Sequence, residues 1–273
     1  MPDLSSITGD IAIIGAGNMG GAILAGLLQA GMPPTRVRVC EVSRANQLTQ
    51  QYGVTPTSSA AQAARGASAI IVAVKPHQVR DVVKQMAAQL QPGTLLISIA
   101  AGLSCRDIEA WAQTPQNPTP AVVRAMPNTP ARLRHGATAI ARGTYARDSQ
   151  MMAAQVIFGA IGAVTPVEES QMAAVSAVSG CGPAYLFLVA EAMTDAAVML
   201  GLPRGIAAKL VAQTFVGSSA LLATDESPTE LRAQVTSPGG TTAAAVFELE
   251  DRGVRAAFGA AMRASVDRSN QLG

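Results

Sequence analysis

Apolar and polar positions follow two different patterns in the two halves of the chain. The first half alternates short apolar runs, which predict strands, with amphipathic segments that predict helices starting near Asn18, Arg44, Gln78, Ser104 and Asp148. The six predicted strands are Ile11–Ile14, Val37–Cys40, Ala69–Val74, Leu95–Ile99, Val122–Met126 and Ala137–Ala141. Strands that alternate with helices predict an α/β fold with a parallel, doubly wound sheet.

The strand signal disappears from Glu168 onward, and only helical patterns follow. Pro203 and Pro228 stand at predicted helix starts, where proline is favoured. The predicted helices are Gly182–Leu200, Arg204–Ala223, Thr229–Val235, Thr242–Leu249 and Val254–Leu272. We therefore expect a sheet-containing domain over residues 1–165 and an all-α domain over residues 166–273.

Composition excludes several classes of protein. The 273 residues carry a net charge of +2 with only 14% charged residues, too few for a nucleic-acid-binding surface. Cys40, Cys105 and Cys181 are widely spaced, so neither a disulfide framework nor a metal site is indicated. The N-terminus shows no secretory signal, and no uninterrupted apolar stretch reaches the ~20 residues of a bilayer span. We expect a cytoplasmic protein without a membrane anchor, some of whose 49% hydrophobic residues are buried between subunits.

A glycine-rich motif, G-A-G-N-M-G, follows the first predicted strand and opens a helix. In that context the first glycine makes a tight turn, the second admits a pyrophosphate and the third lets helix and strand pack closely. The motif predicts a Rossmann-like dinucleotide-binding domain; a plain glycine-rich turn and a mononucleotide site are the alternatives. The cofactor contacts expected here are Ile14, Gly15, Ala16, Gly17, Asn18, Met19 and Gly20.

The most informative segment is S-P-G-G-T-T at residues 237–242, which lies between two predicted helices. Two glycines leave backbone N–H groups uncovered at a helix start, where negative charge is favoured. Two threonine hydroxyls add donors. The segment predicts a site for a small carboxylate; the alternative is a Pro-Gly turn with a threonine N-cap.

Three predicted strands end in residues suited to ligand contacts, because ligands of open α/β sheets bind at the carboxyl ends of strands. Lys75 follows one of these strands and either contacts the cofactor or is a solvated loop lysine. Asn128 follows another and could bond an amide or a substrate. His77 is interpreted as a helix-start residue rather than an acid or base.

These motifs together resemble the pyrroline-5-carboxylate reductase family, which reduces a cyclic imine to proline with NADPH or NADH. The resemblance covers essentially the whole chain and rests on GAGNMG at 15–20, AVKP at 73–76, AAG at 100–102, MPNTP at 126–130, GPAY at 182–185 and TSPGGTT at 236–242. It implies a Rossmann-like domain followed by an all-α dimerisation domain that interlocks with its twin, and dimers that often assemble into decamers.

The resemblance also assigns site residues. It places the substrate carboxylate on the loop 239–242 and gives Thr242 the catalytic hydrogen bond to the ring nitrogen. The implied substrate-binding residues are Glu169, Ser237, Gly239, Gly240, Thr241 and Thr242. Further cofactor contacts are Ser43, Arg44, Ala73, Val74, Lys75, Pro76, Ala100, Ala101 and Asn128. The chain departs from the family at Cys181, where serine is usual, and at Ala60, where many members have asparagine.

Two features of the sequence after the second strand favour different cofactors. Glu41 follows the second strand, where a carboxylate binds a ribose 2′-hydroxyl and repels a 2′-phosphate. Ser43 and Arg44 suit a phosphate instead. We expect NADPH, with NADH as an alternative.

We therefore expect an NAD(P)H-dependent imine reductase that catalyses the last step of proline biosynthesis, as a homo-oligomer without metal. A β-hydroxyacid dehydrogenase is an alternative, but its catalytic lysine has no counterpart in residues 175–192. A non-catalytic nucleotide sensor is another, but it would have lost the intact loop 239–242. The oligomer size and the physiological imine stay open.

Overall fold

One mostly parallel sheet organises the first half of the protein in its computed structural model, which describes residues 4–41 and 43–271. Eight strands are found in this part of the chain: β1 (Asp10–Ile14), β2 (Val37–Cys40), β3 (Thr55–Thr57), β4 (Ala67–Val72), β5 (Leu95–Ser98), β6 (Ala121–Met126), β7 (Gly136–Arg142) and β8 (Gly162–Val167). Their order across the sheet is β3-β2-β1-β4-β5-β6-β7-β8. The Rossmann-like α/β fold is thus confirmed, and each of the six predicted strands is present.

Helices cover both faces of the sheet. They are α1 (Asn18–Gln29), α2 (Ala45–Tyr52), α3 (Ala60–Ala64), α4 (Pro76–Met86), α5 (Cys105–Ala112) and α6 (Asp148–Gly159). Strand β1 shows why both faces are apolar: Ile11 and Ile13 belong to one buried cluster, whereas Ala12 and Ile14 belong to the other. Because side chains alternate along a strand, a strand with two buried faces is a continuous apolar run, which is the pattern of the sequence.

The sheet departs from the predicted parallel arrangement at one pair, since β7 runs antiparallel to β6. The link between them spans only residues 127–135, too short for the crossover that parallel strands need. Strands β3 and β8 and helix α3 were not predicted. Both strands contain a proline, and α3 has only five residues, so their local signals are weak.

Up to residue 271, the last one described, the regular elements that follow β8 are all helical, as predicted: α7 (Met172–Val175), a π-type turn at Ser176–Gly180, α8 (Gly182–Met199), α9 (Arg204–Leu222), α10 (Pro228–Gln234), α11 (Thr241–Asp251) and α12 (Val254–Asn270). The predicted end of the last helix, Leu272, lies outside the described residues. The chain forms two compact units: one takes in the chain up to Cys181 and again from Ser265, and the other is Gly182–Ala264.

The helical unit exposes much apolar surface. No residue of α8, for example, is buried, and Phe187 and Leu188 are each about two-thirds exposed. By length and composition alone, the helical stretches Glu169–Met199 and Arg204–Leu222 are apolar enough to cross a membrane, and only 11% of each window is buried. An exposed apolar surface of this extent is typical of a surface that contacts another molecule.

Candidate active site

The glycine-rich loop between β1 and α1 has the geometry that its sequence predicts. Gly15 adopts a φ of +93°, in the left-handed region that favours glycine. A Cβ on Gly20 would lie 2.0 Å from the carbonyl oxygen of Gly15, so only glycine allows this close approach. A Cβ on Gly17, in contrast, would meet no described atom within 4 Å. The first and third glycines therefore shape the turn, while the second leaves one side of the loop uncovered.

The start of α1 fits a diphosphate. Gly17 is its N-cap, and no side chain among the described residues caps the helix. The N–H groups of the first turn have no partner within a helix and carry the positive end of its dipole. An uncapped helix start beside a side-chain-free face is the arrangement that binds the pyrophosphate of a dinucleotide. The residues present thus fit NAD(P)H.

This loop lies where the strand order reverses, because β1 stands between β2 and β4. Its neighbour is the segment after β4, where the Ala73 N–H donates to the Ile14 carbonyl at 2.8 Å. Lys75 is exposed, and Pro76 begins α4. His77 is also exposed in the first turn of α4, which agrees with its interpretation as a helix-start residue. The predicted cofactor residues from Ile14 to Gly20 and from Ala73 to Pro76 are therefore adjacent.

Glu41 adjoins the same loop from the end of β2. Its Oε2 accepts the Ala16 N–H at 3.2 Å, and its Oε1 accepts the N–H and hydroxyl of Ser43 at 2.9 and 2.7 Å. Partial burial works to raise the pKa of Glu41, but the hydrogen bonds from Ser43 and Ala16 outweigh it and lower the pKa below its ordinary value. The carboxylate is therefore ionised at neutral pH.

The residues that follow β2 line two different cavities. Glu41 and Ser43 line a cavity of about 320 Å³ together with Ile14, Gly15 and Val74. Arg44 lines a different one of about 330 Å³, together with Gly17, Asn18 and Gly21 along α1.

The predicted nicotinamide residues lie beyond β5 and β6. The Ala100 N–H donates to the Ser98 hydroxyl at 3.3 Å, and Ala101 packs against the small buried cluster that contains Met126. Asn128 is 9% exposed, and its amide is engaged at both ends: Nδ2 donates to the Ser179 carbonyl at 3.0 Å, and Oδ1 accepts the Ala137 N–H at 2.8 Å. Asn128 thus ties the π-type turn to the β6–β7 connection, and its contact with a cofactor stays a prediction.

Glu169 joins three elements of the first unit. Its Oε1 accepts the Cys105 N–H at the start of α5 at 2.6 Å and pairs with Arg124 of β6 at 3.2 Å. Burial, together with the Glu169 charge, raises the pKa of the Cys105 thiol, which therefore stays protonated. Glu169 and Arg124 line a cavity of about 350 Å³ beside Ser104. Sequence reasoning missed Arg124, although a charged residue inside an apolar strand signals a paired group.

The segment 237–242 begins α11 in the helical unit. Gly239 has a φ of +69°, and the Gly240 N–H donates to the Ser237 carbonyl at 3.0 Å. Gly240 is the N-cap, with no side chain capping the helix in the described chain. Thr241 and Thr242 therefore occupy the first helical turn, with their N–H groups at the positive end of the dipole. The helix starts one residue earlier than predicted, so glycine rather than threonine is the N-cap.

The fold and the nucleotide loop define a Rossmann-type, NAD(P)-dependent oxidoreductase. Residues 10–102 match the family described as "NADP oxidoreductase coenzyme F420-dependent", and residues 169–272 match "Pyrroline-5-carboxylate reductase dimerisation". A pyrroline-5-carboxylate reductase of Mycobacterium tuberculosis is 42% identical, with 96% of each chain covered. The chain belongs to the pyrroline-5-carboxylate reductase family.

Solved structures agree with this membership. The chain is similar to a pyrroline-5-carboxylate reductase from Coxiella burnetii, with a TM-score of 0.91 and 37% identity over 97% of this chain and 99% of that one. It is also similar to the Plasmodium falciparum pyrroline carboxylate reductase with NADP bound, with a TM-score of 0.85 and 28% identity over 97% and 98%. The resemblance inferred from the motifs is thus confirmed.

Proposed function

We propose that this protein is a pyrroline-5-carboxylate reductase, which reduces 1-pyrroline-5-carboxylate to L-proline in the last step of proline biosynthesis. The observation that carries the proposal is the start of α11, where Gly240 leaves the first helical turn without a side-chain cap. Such a start binds a small carboxylate. It occurs in a chain that also has an uncapped nucleotide-binding loop and belongs to the reductase family.

The substrate carboxylate accepts hydrogen bonds from the segment 237–242. We assign this role to Ser237, Gly239 and Thr241, because two glycines and the first-turn amides give an anion a surface with little side-chain obstruction. Gly240, whose N–H is bonded to the Ser237 carbonyl, is assigned to the same substrate site as a residue that lines it. Glu169 is assigned to the substrate site as well, since it lines a cavity at the ends of the strands.

Thr242 forms the hydrogen bond with the ring nitrogen and is the catalytic residue of the proposal: its hydroxyl oxygen accepts from the N–H of the protonated imine. NAD(P)H supplies the hydride. A protonated imine is already electrophilic, so the protein contributes position and a hydrogen bond rather than a strong acid. No residue of the described loop 237–241 is a histidine, lysine, aspartate or glutamate, which agrees with a mechanism that needs no strong acid from this loop.

The cofactor is NADPH, with NADH as an alternative. The glycine-rich loop binds its diphosphate, Ser43 and Arg44 lie towards the adenosine ribose, and Ala73–Pro76, Ala100, Ala101 and Asn128 lie towards the nicotinamide. The uncapped start of α1 supports the placement of the diphosphate.

The helical domain, residues 166–273, forms a homodimer, and dimers assemble further into a decamer. The exposed apolar side chains of α8 and α9 support an interface of this kind, because a second copy would cover them. We further propose that the protein is cytoplasmic and binds neither a membrane nor nucleic acid. The low charge density supports the last point.

The test compares turnover of pyrroline-5-carboxylate and pyrroline-2-carboxylate by the oxidation of NADPH and of NADH. The proposal requires rapid turnover of the first imine. Thr242→Ala should lower kcat/KM for the imine while nucleotide affinity is retained. Thr229→Ala, in exposed α10, is the matched control and should behave as wild type. An unchanged kcat/KM in Thr242→Ala would remove Thr242 from the mechanism.

A further inference from the structure

A polar cavity of about 410 Å³ lies at the end of the sheet opposite the nucleotide loop, where β5, β6 and α6 begin. Its described lining residues are Pro92, Gly93, Asn117, Thr119, Ala121, Tyr145, Arg147 and Gln150. Ligands of a Rossmann-type sheet bind at the carboxyl ends of its parallel strands, whereas this cavity is at their amino ends. We propose that it is a second ligand site, which binds a small anion through a carboxylate or phosphate group.

Arg147 gives the cavity a positive charge. It is the one charged residue among the described lining residues, and it forms no ion pair in the described chain. The neighbouring Asp148 does not line the cavity, and its carboxylate is paired with Arg142. A guanidinium presents a planar fork of donors that matches the oxygens of a carboxylate or a phosphate. The charge of the cavity therefore favours an anion.

The start of α6 contributes to the same preference. Arg147 is the N-cap of this helix, whose first-turn N–H groups carry the positive end of the dipole. The Arg147 N–H donates to Gln150 Oε1 at 2.7 Å, and Gln150 Nε2 donates to the Gly93 carbonyl at 3.3 Å. These bonds fix the helix start to the turn before β5, so the positive end of the dipole is held beside the cavity.

Asn117 adds a nearly enclosed amide that has no protein partner. The residue is only 2% exposed, and its backbone N–H and carbonyl are both bonded to Thr114, each at 3.1 Å. Its side-chain amide, in contrast, forms no hydrogen bond with the described residues. In this part of the chain, Thr138 Oγ1 is the one fully enclosed side-chain atom without a partner, so both amide atoms of Asn117 keep some accessible area.

That accessible area belongs to the cavity that Asn117 lines. Buried polar groups are almost always hydrogen-bonded, so an unpaired amide at the wall of a cavity indicates a ligand that bonds to it. Asn117 Nδ2 and the Tyr145 hydroxyl are donors, as is the Arg147 guanidinium. One anion that contacts Arg147 and the Asn117 amide would therefore account for both unpaired groups.

The experiment measures binding of inorganic phosphate and of succinate to the whole protein by isothermal titration calorimetry. NADP⁺ is present at saturation, so that neither probe can occupy the nucleotide loop. Arg147→Gln removes the charge, and Asn117→Leu removes the amide at nearly constant size. Arg80→Gln is the control, because Arg80 is an exposed arginine of α4 that does not line the cavity. Thermal unfolding verifies that each variant is folded.

We expect at least one probe to bind, and Arg147→Gln and Asn117→Leu each to weaken that binding at least about tenfold, with the control at the wild-type affinity. Whether phosphate, succinate or both respond in this way identifies the group that the site prefers. Asn117→Leu should also keep or raise Tm, because its amide has no protein partner to lose. If neither probe shows binding that both variants weaken, the inference is overturned.

Discussion

Replacing Gly17 or Gly20 by alanine is expected to affect two different properties: the stability of the fold in Gly20→Ala, and the affinity for the nucleotide in Gly17→Ala. In Gly20→Ala, the new methyl group would lie 2.0 Å from the Gly15 carbonyl oxygen and 3.1 Å from the Ala73 Cβ. Normal contact is roughly 3.5 Å, so the turn must open by about 1.5 Å. The obstacle is backbone rather than a movable side chain.

We expect Gly20→Ala to lower the free energy of unfolding by about 3 kcal/mol, the upper end of the range for overpacked sites. At about 2–4 °C per kcal/mol, Tm falls by about 6–12 °C. In Gly17→Ala, a Cβ meets no described atom within 4 Å, and φ is −62°, so the fold should lose less than about 1 kcal/mol. Its methyl group nevertheless takes the side of the loop that we assign to the pyrophosphate.

Thermal unfolding and calorimetric titration with NADP⁺ separate the two effects. Gly17→Ala should keep its Tm within about 4 °C of the wild-type value and lose at least about tenfold in affinity, whereas Gly20→Ala should lose about 6–12 °C in Tm. Wild-type affinity in Gly17→Ala would show that the diphosphate does not lie on this face. An unchanged Tm in Gly20→Ala would refute the close approach of loop and helix.

Three further predictions concern buried or hydrogen-bonded groups. Thr138 Oγ1 is buried without a hydrogen-bond partner in the described chain, so Thr138→Val should keep or raise Tm. Thr94→Val is the comparison: it removes the hydrogen bond to the Ala67 carbonyl and should lower the free energy of unfolding by about 1 kcal/mol. The depressed pKa of Glu41 stabilises the fold above the ordinary value of 4.5, so wild type and Glu41→Gln should converge in chemical denaturation as pH falls below it. The pKa of the Cys105 thiol is raised mainly by burial and also by the Glu169 charge. Iodoacetamide at pH 8 should therefore label Cys105 only after unfolding, because it reacts with the thiolate. Labelling of Cys105 in the folded protein would contradict this prediction.

Local signals were sufficient for six of the eight described strands and for the nucleotide loop. Apolar runs such as Leu95–Ser98 are buried on both faces, and the spacing of Gly15, Gly17 and Gly20 has a direct steric meaning. The antiparallel direction of β7 was not predicted, because an apolar run has the same pattern in a parallel and an antiparallel strand. The short link after Met126 was the one signal for an antiparallel pair, since parallel neighbours need a longer crossover.

Contacts between distant residues could not be predicted in the same way. Glu169 and Cys105 are 64 residues apart, and Asn128 and Ser179 are 51 apart. Their hydrogen bonds depend on how β6, α5 and the π-type turn pack, which no local pattern specifies. The sequence placed Glu41 beside a ribose, but the bonds that direct Ser43 to it appear only in the structure.

The central claim, imine reduction to proline, is tested most directly by measuring product and cofactor in one reaction. Purified protein is mixed with pyrroline-5-carboxylate and NADPH or NADH, and L-proline is quantified by chiral chromatography beside the oxidised nucleotide. We predict one L-proline for each nucleotide oxidised. Absence of proline with both nucleotides, in protein that demonstrably binds them, would contradict the account.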